Sequence, residues 1–333
     1  MSDHSWPWPA GAATGIGSLP GTDIAEAQRL VLGELPDLPH LPELPARGPG
    51  ADLVGRTAGL LVDLPVELYA GRWRLTARGG RDLRRTHDLL ERDLDQMTEQ
   101  AAEYDGLFKV QAAGPFTLAA NVELPLGGRM LRDPGALRDL TESLAEGLRG
   151  HVAEIRRRLP HATVLLQLDE PTLPAVLAGR VRTDGIGTYR AVESGTAEGL
   201  LRTVVEATDA PVVVHCCAQD VPLELVRSAG AVGVALDLDL ANDLDALGEA
   251  LDAGLGLFAG AAPATPPPGE RAPSSAQIAD RVRTLWERLG FPPDRLAEQV
   301  VVTPACGLAN ATSGYARALL SACRDAGRRL YEA

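Results

Sequence analysis

The sequence predicts an α/β fold, specifically a single (β/α)8 barrel of the TIM type. Short apolar runs rich in β-branched residues recur along the chain, and amphipathic stretches long enough for helices separate most of them. The apolar runs do not alternate cleanly with polar residues, which is typical of parallel strands buried on both faces. A doubly wound open sheet is the alternative. It is disfavoured because no glycine-rich phosphate-binding turn follows the first run.

The predicted elements are spaced along the whole chain. Seven apolar runs are the stronger strand candidates: ATGIGSL, GLFKVQAAG, ATVLLQLDEP, APVVVHCC, AVGVALDLDL, LGLFAGAA and EQVVVTPACGL. An eighth, weaker candidate lies near His40. The predicted helices are 82–103, 134–158, 197–208, 241–253, 275–289 and 313–330. We therefore expect one domain over residues 1–333, with 1–12 as an N-terminal arm and the proline-rich stretch 262–275 as a long loop.

Composition excludes several classes of protein. Hydrophobic residues make up 45% of the chain and the formal net charge is -13, with Lys109 as the only lysine. An acidic chain without a basic stripe argues against binding to nucleic acid or to an anionic membrane. No apolar run approaches the roughly 20 residues that cross a bilayer, and the N-terminus lacks the features of a signal peptide. A cytoplasmic, reducing location is expected, where cysteines serve as buried thiols or metal ligands.

A histidine and two cysteines mark the end of the run PVVVHCC. In a (β/α)8 barrel the site is built at the carboxyl ends of the strands. His215 and Cys217 are two residues apart, so their side chains project to one side of the strand and Cys216 projects to the other. Cys306 ends the last run, and Asp237 ends the run after His215. Imidazole and thiolate are preferred zinc ligands, which predicts a zinc site with Asp237 as a possible oxygen ligand.

The alternative interpretation is a hydrogen-bonded core histidine with two small buried cysteines. Convergence at the strand ends favours the metal. Two thiolates and an imidazole around zinc suit the activation of an incoming thiol for S-alkylation, and hydrolysis by zinc-bound water is the competing chemistry.

Two further strand ends carry polar groups. Asp169 and Glu170 end a buried run, so one carboxylate is expected to face the barrel interior, where Asp169 can bind an ammonium, and Glu170 to cap a turn. Ser18, at the end of the first run, offers a hydroxyl to a carboxylate. The residues His87, His151 and His161 are interpreted as solvated, and Cys323 as helix packing.

These motifs resemble a known family. The chain resembles the catalytic barrel of cobalamin-independent methionine synthase, within the uroporphyrinogen decarboxylase-like barrels. The resemblance extends from Thr14 to Leu330 and rests on ATGIGSLPGT, QAAGPFTL, LQLDEPTLPAVL, VVVHCCAQD and VTPACGL, in the family's order. HxC followed by PxCGL is its most specific part.

The resemblance implies a ligand set and a substrate. In the family a histidine, two cysteines and a carboxylate, usually glutamate, hold zinc; here they correspond to His215, Cys217, Cys306 and Asp237. Because aspartate is shorter, zinc could keep three protein ligands, or Asp239 could substitute. The family's serine and DEP aspartate hold the amino-acid part of homocysteine, and correspond to Ser18 and Asp169.

Three departures from the family concern the substrate ends. We expect no second, folate-binding barrel within this chain, and the segment LFAGAAPATPP lacks the histidine thought to assist methyl transfer. The glutamate that helps to bind the homocysteine amine has no clear match near RGPGADLVGRT. The expected function is methyl transfer to homocysteine, giving methionine, from a methylfolate or a methylated corrinoid carrier. The alternatives are alkyl transfer to another thiol, as in epoxyalkane:coenzyme M transferase, and a non-catalytic paralogue that keeps zinc.

Overall fold

The computed structural model describes residues 5–265 and 271–332. The first four residues of the predicted arm and 266–270 of the predicted loop lie outside the described residues. A six-stranded parallel sheet dominates the fold, with its strands in chain order. They are β3 (Leu107–Ala113), β4 (Thr163–Asp169), β5 (Val212–Cys216), β6 (Gly233–Asp237), β7 (Gly256–Ala262) and β8 (Val300–Pro304). All six coincide with predicted strands.

Two predicted strands form only isolated bridges. Ala13 of the first run bridges Val302 in β8, and His40 bridges Lys109 in β3, both in parallel. Ser18 bridges Glu43, so these two segments also pair with each other. The observed architecture is thus an α/β fold with a six-stranded parallel sheet, whose two edge strands are each bridged by one of these segments. An antiparallel hairpin, β1 (Val66–Tyr69) and β2 (Arg72–Leu75), was not predicted.

The described residues form twelve α-helices. They are α1 (Ile24–Glu34), α2 (Leu53–Ala58), α3 (Arg81–Ala101), α4 (Pro115–Ala119), α5 (Pro134–Arg158), α6 (Leu173–Leu177), α7 (Ser194–Ala207), α8 (Leu223–Ser228), α9 (Leu244–Asp252), α10 (Ser275–Leu289), α11 (Leu296–Gln299) and α12 (Ser313–Tyr331). Six of the twelve correspond to the predicted amphipathic stretches (α3, α5, α7, α9, α10 and α12), and the other six were not predicted. α5 and α10 have the predicted bounds because their N-terminal signals are strong. Asp133 caps α5 ahead of Pro134, and Ser274 forms a capping box with Gln277 at α10.

The apolar core has two parts. The larger lies between the sheet and the helices. The smaller fills one end of the space inside the sheet, where Trp8 packs edge-on against Phe258 with ring centroids 4.9 Å apart. Leu165 and Val301 belong to this second cluster. The tryptophan arm therefore closes the end of the sheet opposite the carboxyl ends of the strands.

One discounted histidine is buried. His151 on α5 is 7% exposed, and burial lowers its pKa to about 4, so the prediction that it is solvated was wrong. The amphipathic face of α5 carries it into the core, which the polar residues around it concealed. Cys323 is buried in α12 as predicted. Within the described ranges, no helix combines the length and apolarity that a membrane span needs.

Candidate active site

The structure brings His215, Cys217 and Cys306 together. One ligand atom from each lies within 4.8 Å of the others. Cys306 Sγ is 3.1 Å from Cys217 Sγ and 3.9 Å from His215 Nε2. His215 is on β5, Cys217 follows that strand, and Cys306 follows β8, so parallel strands of one sheet deliver all three ligands at their carboxyl ends. Cys216 lies outside this group and is buried elsewhere.

A backbone contact orients the imidazole of His215. Nδ1 lies 3.3 Å from the carbonyl oxygen of Ala235 on β6, which leaves Nε2 facing Cys306. A ring nitrogen that donates to a carbonyl fixes the tautomer and frees the other nitrogen as a ligand. Burial lowers the pKa of His215, but the hydrogen bond with Cys306 and the charges of Asp169 and Cys306 outweigh it, so the pKa is raised overall.

The two thiols differ in acidity. Hydrogen bonds from Cys217 and His215 lower the pKa of Cys306, whereas the contact with Cys306 and burial raise the pKa of Cys217. The group therefore favours one thiolate close to an imidazole, a soft donor set that suits zinc. Tetrahedral zinc ligands with bonds of about 2.0–2.3 Å lie roughly 3.3–3.8 Å apart, so the observed separations require only small side-chain shifts.

Asp237 stays a prediction as a fourth ligand. It ends β6 next to β5, yet among the described residues the group of converging ligand atoms does not include it. Its Oδ1 accepts a hydrogen bond from the backbone nitrogen of Asp239 at 3.0 Å, and it lines a cavity of about 290 Å³ with Asp220 and Asn242. Asp239 is exposed and forms an ion pair with Arg281 at 2.5 Å.

Asp169 ends β4 beside His215, Cys217 and Cys306, the three converging side chains that we call the metal group. It is 5% exposed and pairs in register with His215. Its Oδ1 accepts a hydrogen bond from Gln167 Nε2 at 2.7 Å. Burial raises the pKa of Asp169 to about 6, although His215 and Lys109 act in the opposite direction. A buried carboxylate with free acceptor capacity can receive an ammonium.

Ser18 lies against the segment that carries Cys306. Its carbonyl accepts a hydrogen bond from the nitrogen of Leu308 at 2.8 Å. A Cβ on Gly307 would overlap Ser18 Oγ. Gly307, the glycine of the CGL motif, therefore makes room for the Ser18 hydroxyl. Together with the hydrogen bond from Leu308, this close approach keeps Ser18 against the segment that carries Cys306.

Sequence reasoning missed Glu43. It bridges Ser18, is 4% exposed, and is close enough to Asp169 for each carboxylate to act on the other's charge. Burial raises its pKa to about 7, and Arg56 opposes the shift. The signal was the glutamate in HLPEL, directly after the weak strand near His40. This glutamate precedes the stretch RGPGADLVGRT by a few residues.

Glu170, the other carboxylate of the DEP motif, faces away from the metal group. It is fully buried and accepts hydrogen bonds from the backbone nitrogens of Phe116 and Thr117 at 2.9 and 2.8 Å. Thr117 Oγ1 also donates to it at 2.7 Å. Burial raises the pKa of Glu170 to about 7, and these three donors oppose that shift. Glu170 thus caps α4 and ties the end of β4 to the end of β3.

Replacing Glu170 tests this structural role. We expect Glu170→Gln to lower the free energy of unfolding by about 1–3 kcal/mol, because a carboxamide leaves a buried donor unsatisfied. Urea unfolding measures the change. The control is Glu224→Gln, at an exposed residue of α8, for which we expect a change within about 0.5 kcal/mol. Equal effects of the two substitutions would contradict the assignment.

Comparison with known proteins gives the family. The family model for the cobalamin-independent synthase catalytic domain matches residues 11–329. The chain belongs to this family. The match covers the metal group, Ser18, Glu43 and Asp169 together. No curated protein matches the sequence significantly.

Solved structures share the fold at low identity. A B12-independent methionine synthase from Shewanella sp. W3-18-1, solved in complex with selenomethionine, superposes with a TM-score of 0.64 and 12% identity, covering 97% of this chain and 98% of that one. A methyltransferase from Methanosarcina mazei gives a TM-score of 0.60 and 12% identity, covering 100% and 96%. At this identity the likeness concerns the fold alone. It extends over almost the full length of each chain.

Proposed function

We propose that the chain is a zinc-dependent methyltransferase that transfers a methyl group to the thiol of homocysteine and releases methionine. The observation that carries this proposal is the adjacency of two groups. A His/Cys/Cys set able to hold a thiol-activating metal lies beside the half-buried Ser18 and the buried carboxylates of Glu43 and Asp169, three side chains suited to an amino acid.

The metal end of the site comprises His215, Cys217 and Cys306, with Asp237 as a proposed further ligand. Zinc, when bound by such a set, lowers the pKa of an incoming thiol so that thiolate is available near neutral pH. The contribution of the protein to this chemistry is to hold the metal-ligating side chains in position. The Ala235 carbonyl holds the imidazole, and the sheet holds both cysteines at the strand ends.

The amino-acid end explains the substrate class. Asp169 and Glu43 receive the ammonium of the substrate, and Ser18 offers its hydroxyl to the carboxylate. With both ends held, the substrate sulfur is directed at the methyl donor. The thiol loses its proton, an S–C bond forms as the bond from the methyl carbon to the carrier breaks, and the electron pair of that bond leaves with the carrier. The proton is taken up by the departing nitrogen of a folate carrier or, with a corrinoid, released to solvent.

We also infer that the barrel is complete. The segments around 12–18 and 39–43 occupy the positions of the first two strands. Thr14 donates its backbone N–H to Val302 at 3.1 Å, Leu41 to Lys109 at 3.0 Å, and Leu19 to Glu43 at 2.9 Å. These bonds support an eight-membered ring in which β3 and β8 are joined by two short strands.

Two alternatives make different predictions. A coenzyme M-type thiol carries a sulfonate, which the buried carboxylates Asp169 and Glu43 would repel, so this alternative is disfavoured. A non-catalytic paralogue would bind zinc and show no methyl transfer.

The methyl donor is proposed to be a methylfolate or a methylated corrinoid, in a cytoplasmic setting.

The test is direct detection of the product. Zinc-loaded protein is incubated with homocysteine and, in separate reactions, methyltetrahydrofolate and methylcobalamin, and methionine is quantified by mass spectrometry. We expect methionine with at least one donor and none with the Cys306→Ser variant. Metal-loaded protein that forms no methionine with either donor would favour the non-catalytic alternative. In a separate reaction, formation of a thioether from 2-mercaptoethanesulfonate and an epoxide would favour the epoxyalkane:coenzyme M transferase alternative.

A further inference from the structure

Lys109, the only lysine of the chain, is buried in a hydrogen-bond network that reaches Asp169. It lies on β3 with no exposed surface. Its Nζ contacts three oxygens: the Ile16 carbonyl at 2.9 Å, Gln167 Oε1 at 2.8 Å and Gln111 Oε1 at 3.3 Å. An ammonium has three donors and no acceptor, so three acceptor contacts match the protonated side chain.

Gln167 relays the orientation of Lys109 to Asp169. Its Oε1 accepts from Lys109, and its Nε2 donates to Asp169 Oδ1 at 2.7 Å and to the Ile16 carbonyl at 2.8 Å. If the amide rotated by half a turn, its NH2 group would face the ammonium and its oxygen would face the carboxylate. The lysine therefore fixes the amide, and the amide fixes the carboxylate.

Gln111 forms the matching arm toward Glu43. Its Oε1 accepts from Lys109, and its Nε2 donates to the Leu41 carbonyl at 2.6 Å. Leu41 lies two residues before Glu43 on the same segment, so Gln111 fixes the backbone that carries this carboxylate. Glu43 Oε1 is buried and lies 3.8 Å from Arg56 Nε, yet within residues 5–265 and 271–332 it accepts no hydrogen bond, so it keeps acceptor capacity for a ligand.

We propose that Lys109 is a positioning residue for the amine-binding groups, acting through the amide of Gln167 on the Asp169 carboxylate and through the amide of Gln111 on the backbone segment that carries Glu43, and that it thereby sets the preference of the site for ligands with an ammonium group. This inference rests on the proposed function, because it assumes that Glu43 and Asp169 bind the substrate amine. It differs from a purely structural role because it predicts an effect on ligand choice.

A single-residue spectroscopic signal tests the proposal in the unaltered protein. Lysine labelled with ¹³C at Cε gives one resonance, because the chain has one lysine. The probes are L-methionine and 4-(methylthio)butanoate, which lacks only the ammonium. We expect methionine to shift the resonance and the deaminated analogue to leave it in place. An unmoved resonance at saturating methionine would overturn the proposal.

Substitutions test the relay. We expect Lys109→Met and Gln167→Met each to weaken methionine binding about tenfold by calorimetry, with a change of under about threefold for the analogue. Because Lys109 and Gln167 act on Asp169 along one path, the double variant should lose little more affinity for methionine than either single variant. Thr303→Val, a buried hydroxyl on β8 outside the network, is the matched control. Gln167→Met serves alone if Lys109→Met fails to fold.

The outcomes separate this inference from the proposed function. If methionine binds but each variant loses affinity equally for methionine and for the deaminated analogue, Lys109 has only a structural role and the proposed function stands. The same conclusion follows if the losses of methionine affinity add up in the double variant. If methionine does not bind to the unaltered protein at all, the proposed amino-acid site and the role of Lys109 fail together.

Discussion

The Cys306→Ser variant is expected to bind zinc more than about 100-fold more weakly than the unaltered protein. Loss of a hydrogen-bond partner outside the ligand shell typically costs 10–100-fold in metal affinity, and loss of a ligand costs more. Cys306 contacts both other members of the group, and serine would replace its sulfur with a hydroxyl, which is not among the preferred zinc ligands. Competition with a chromophoric chelator measures the affinity, and elemental analysis the zinc content.

Cys323→Ala provides the control, since that thiol is buried in α12 away from the converging ligands. It should hold about one zinc per chain with unchanged affinity. A Cys306→Ser variant that holds zinc as tightly as the unaltered protein would exclude Cys306 as a ligand.

The second large effect is expected for Asp169→Asn. Removing one partner of a buried charge pair costs about 2 kcal/mol or more, which corresponds to about a 30-fold rise in the KM for homocysteine. Zinc content should stay the same, because Asp169 is not among the converging ligand atoms. Steady-state kinetics with homocysteine as the varied substrate measures the effect.

Asp239→Asn is the matched control because it makes the same chemical change at an exposed carboxylate paired with Arg281. We expect its KM to change less than about twofold. If Asp169→Asn also left the KM unchanged, the amine would bind elsewhere, and Glu43 alone would be the next residue to test.

The sequence predicted the parallel sheet well where strands are long and continuously apolar. The six matching strands are packed on both sides by helices or by the inner cluster. The two predicted strands that form only bridges contain residues that limit pairing. Pro39 and Pro42 flank the His40 bridge and lack a backbone N–H, and Gly15 and Gly17 interrupt the first run.

The missed hairpin has a physical explanation. Its turn places Ala70 and Gly71 at positive φ angles of 49° and 80°. The usual signal for such a turn is Asn-Gly or Asp-Gly, and alanine rarely adopts this conformation. Alternation in VELY and RWRL was present, but each strand has only four residues, too few to distinguish from a loop.

The convergence of His215, Cys217 and Cys306 was predictable because these residues lie at the ends of strongly predicted strands. His215 and Cys217 are two residues apart at the end of β5, and Cys306 follows β8, the last strand. Glu43 was not predictable, since it follows a segment with almost no strand signal. The network of Lys109 was also hidden. Its partners come from the first segment, β3 and β4, and only the fold shows that a lysine in an apolar run points inward to two glutamines.

X-ray absorption at the zinc K-edge, with and without homocysteine, shows whether the substrate thiol binds the metal. We predict about two sulfurs near 2.3 Å with nitrogen or oxygen ligands near 2.0–2.2 Å in the free protein, and about three sulfurs after homocysteine is added. That increase would show the substrate thiol on the metal held by His215, Cys217 and Cys306. A sulfur count that does not change at saturating homocysteine, or a protein that takes up no zinc, would contradict the account.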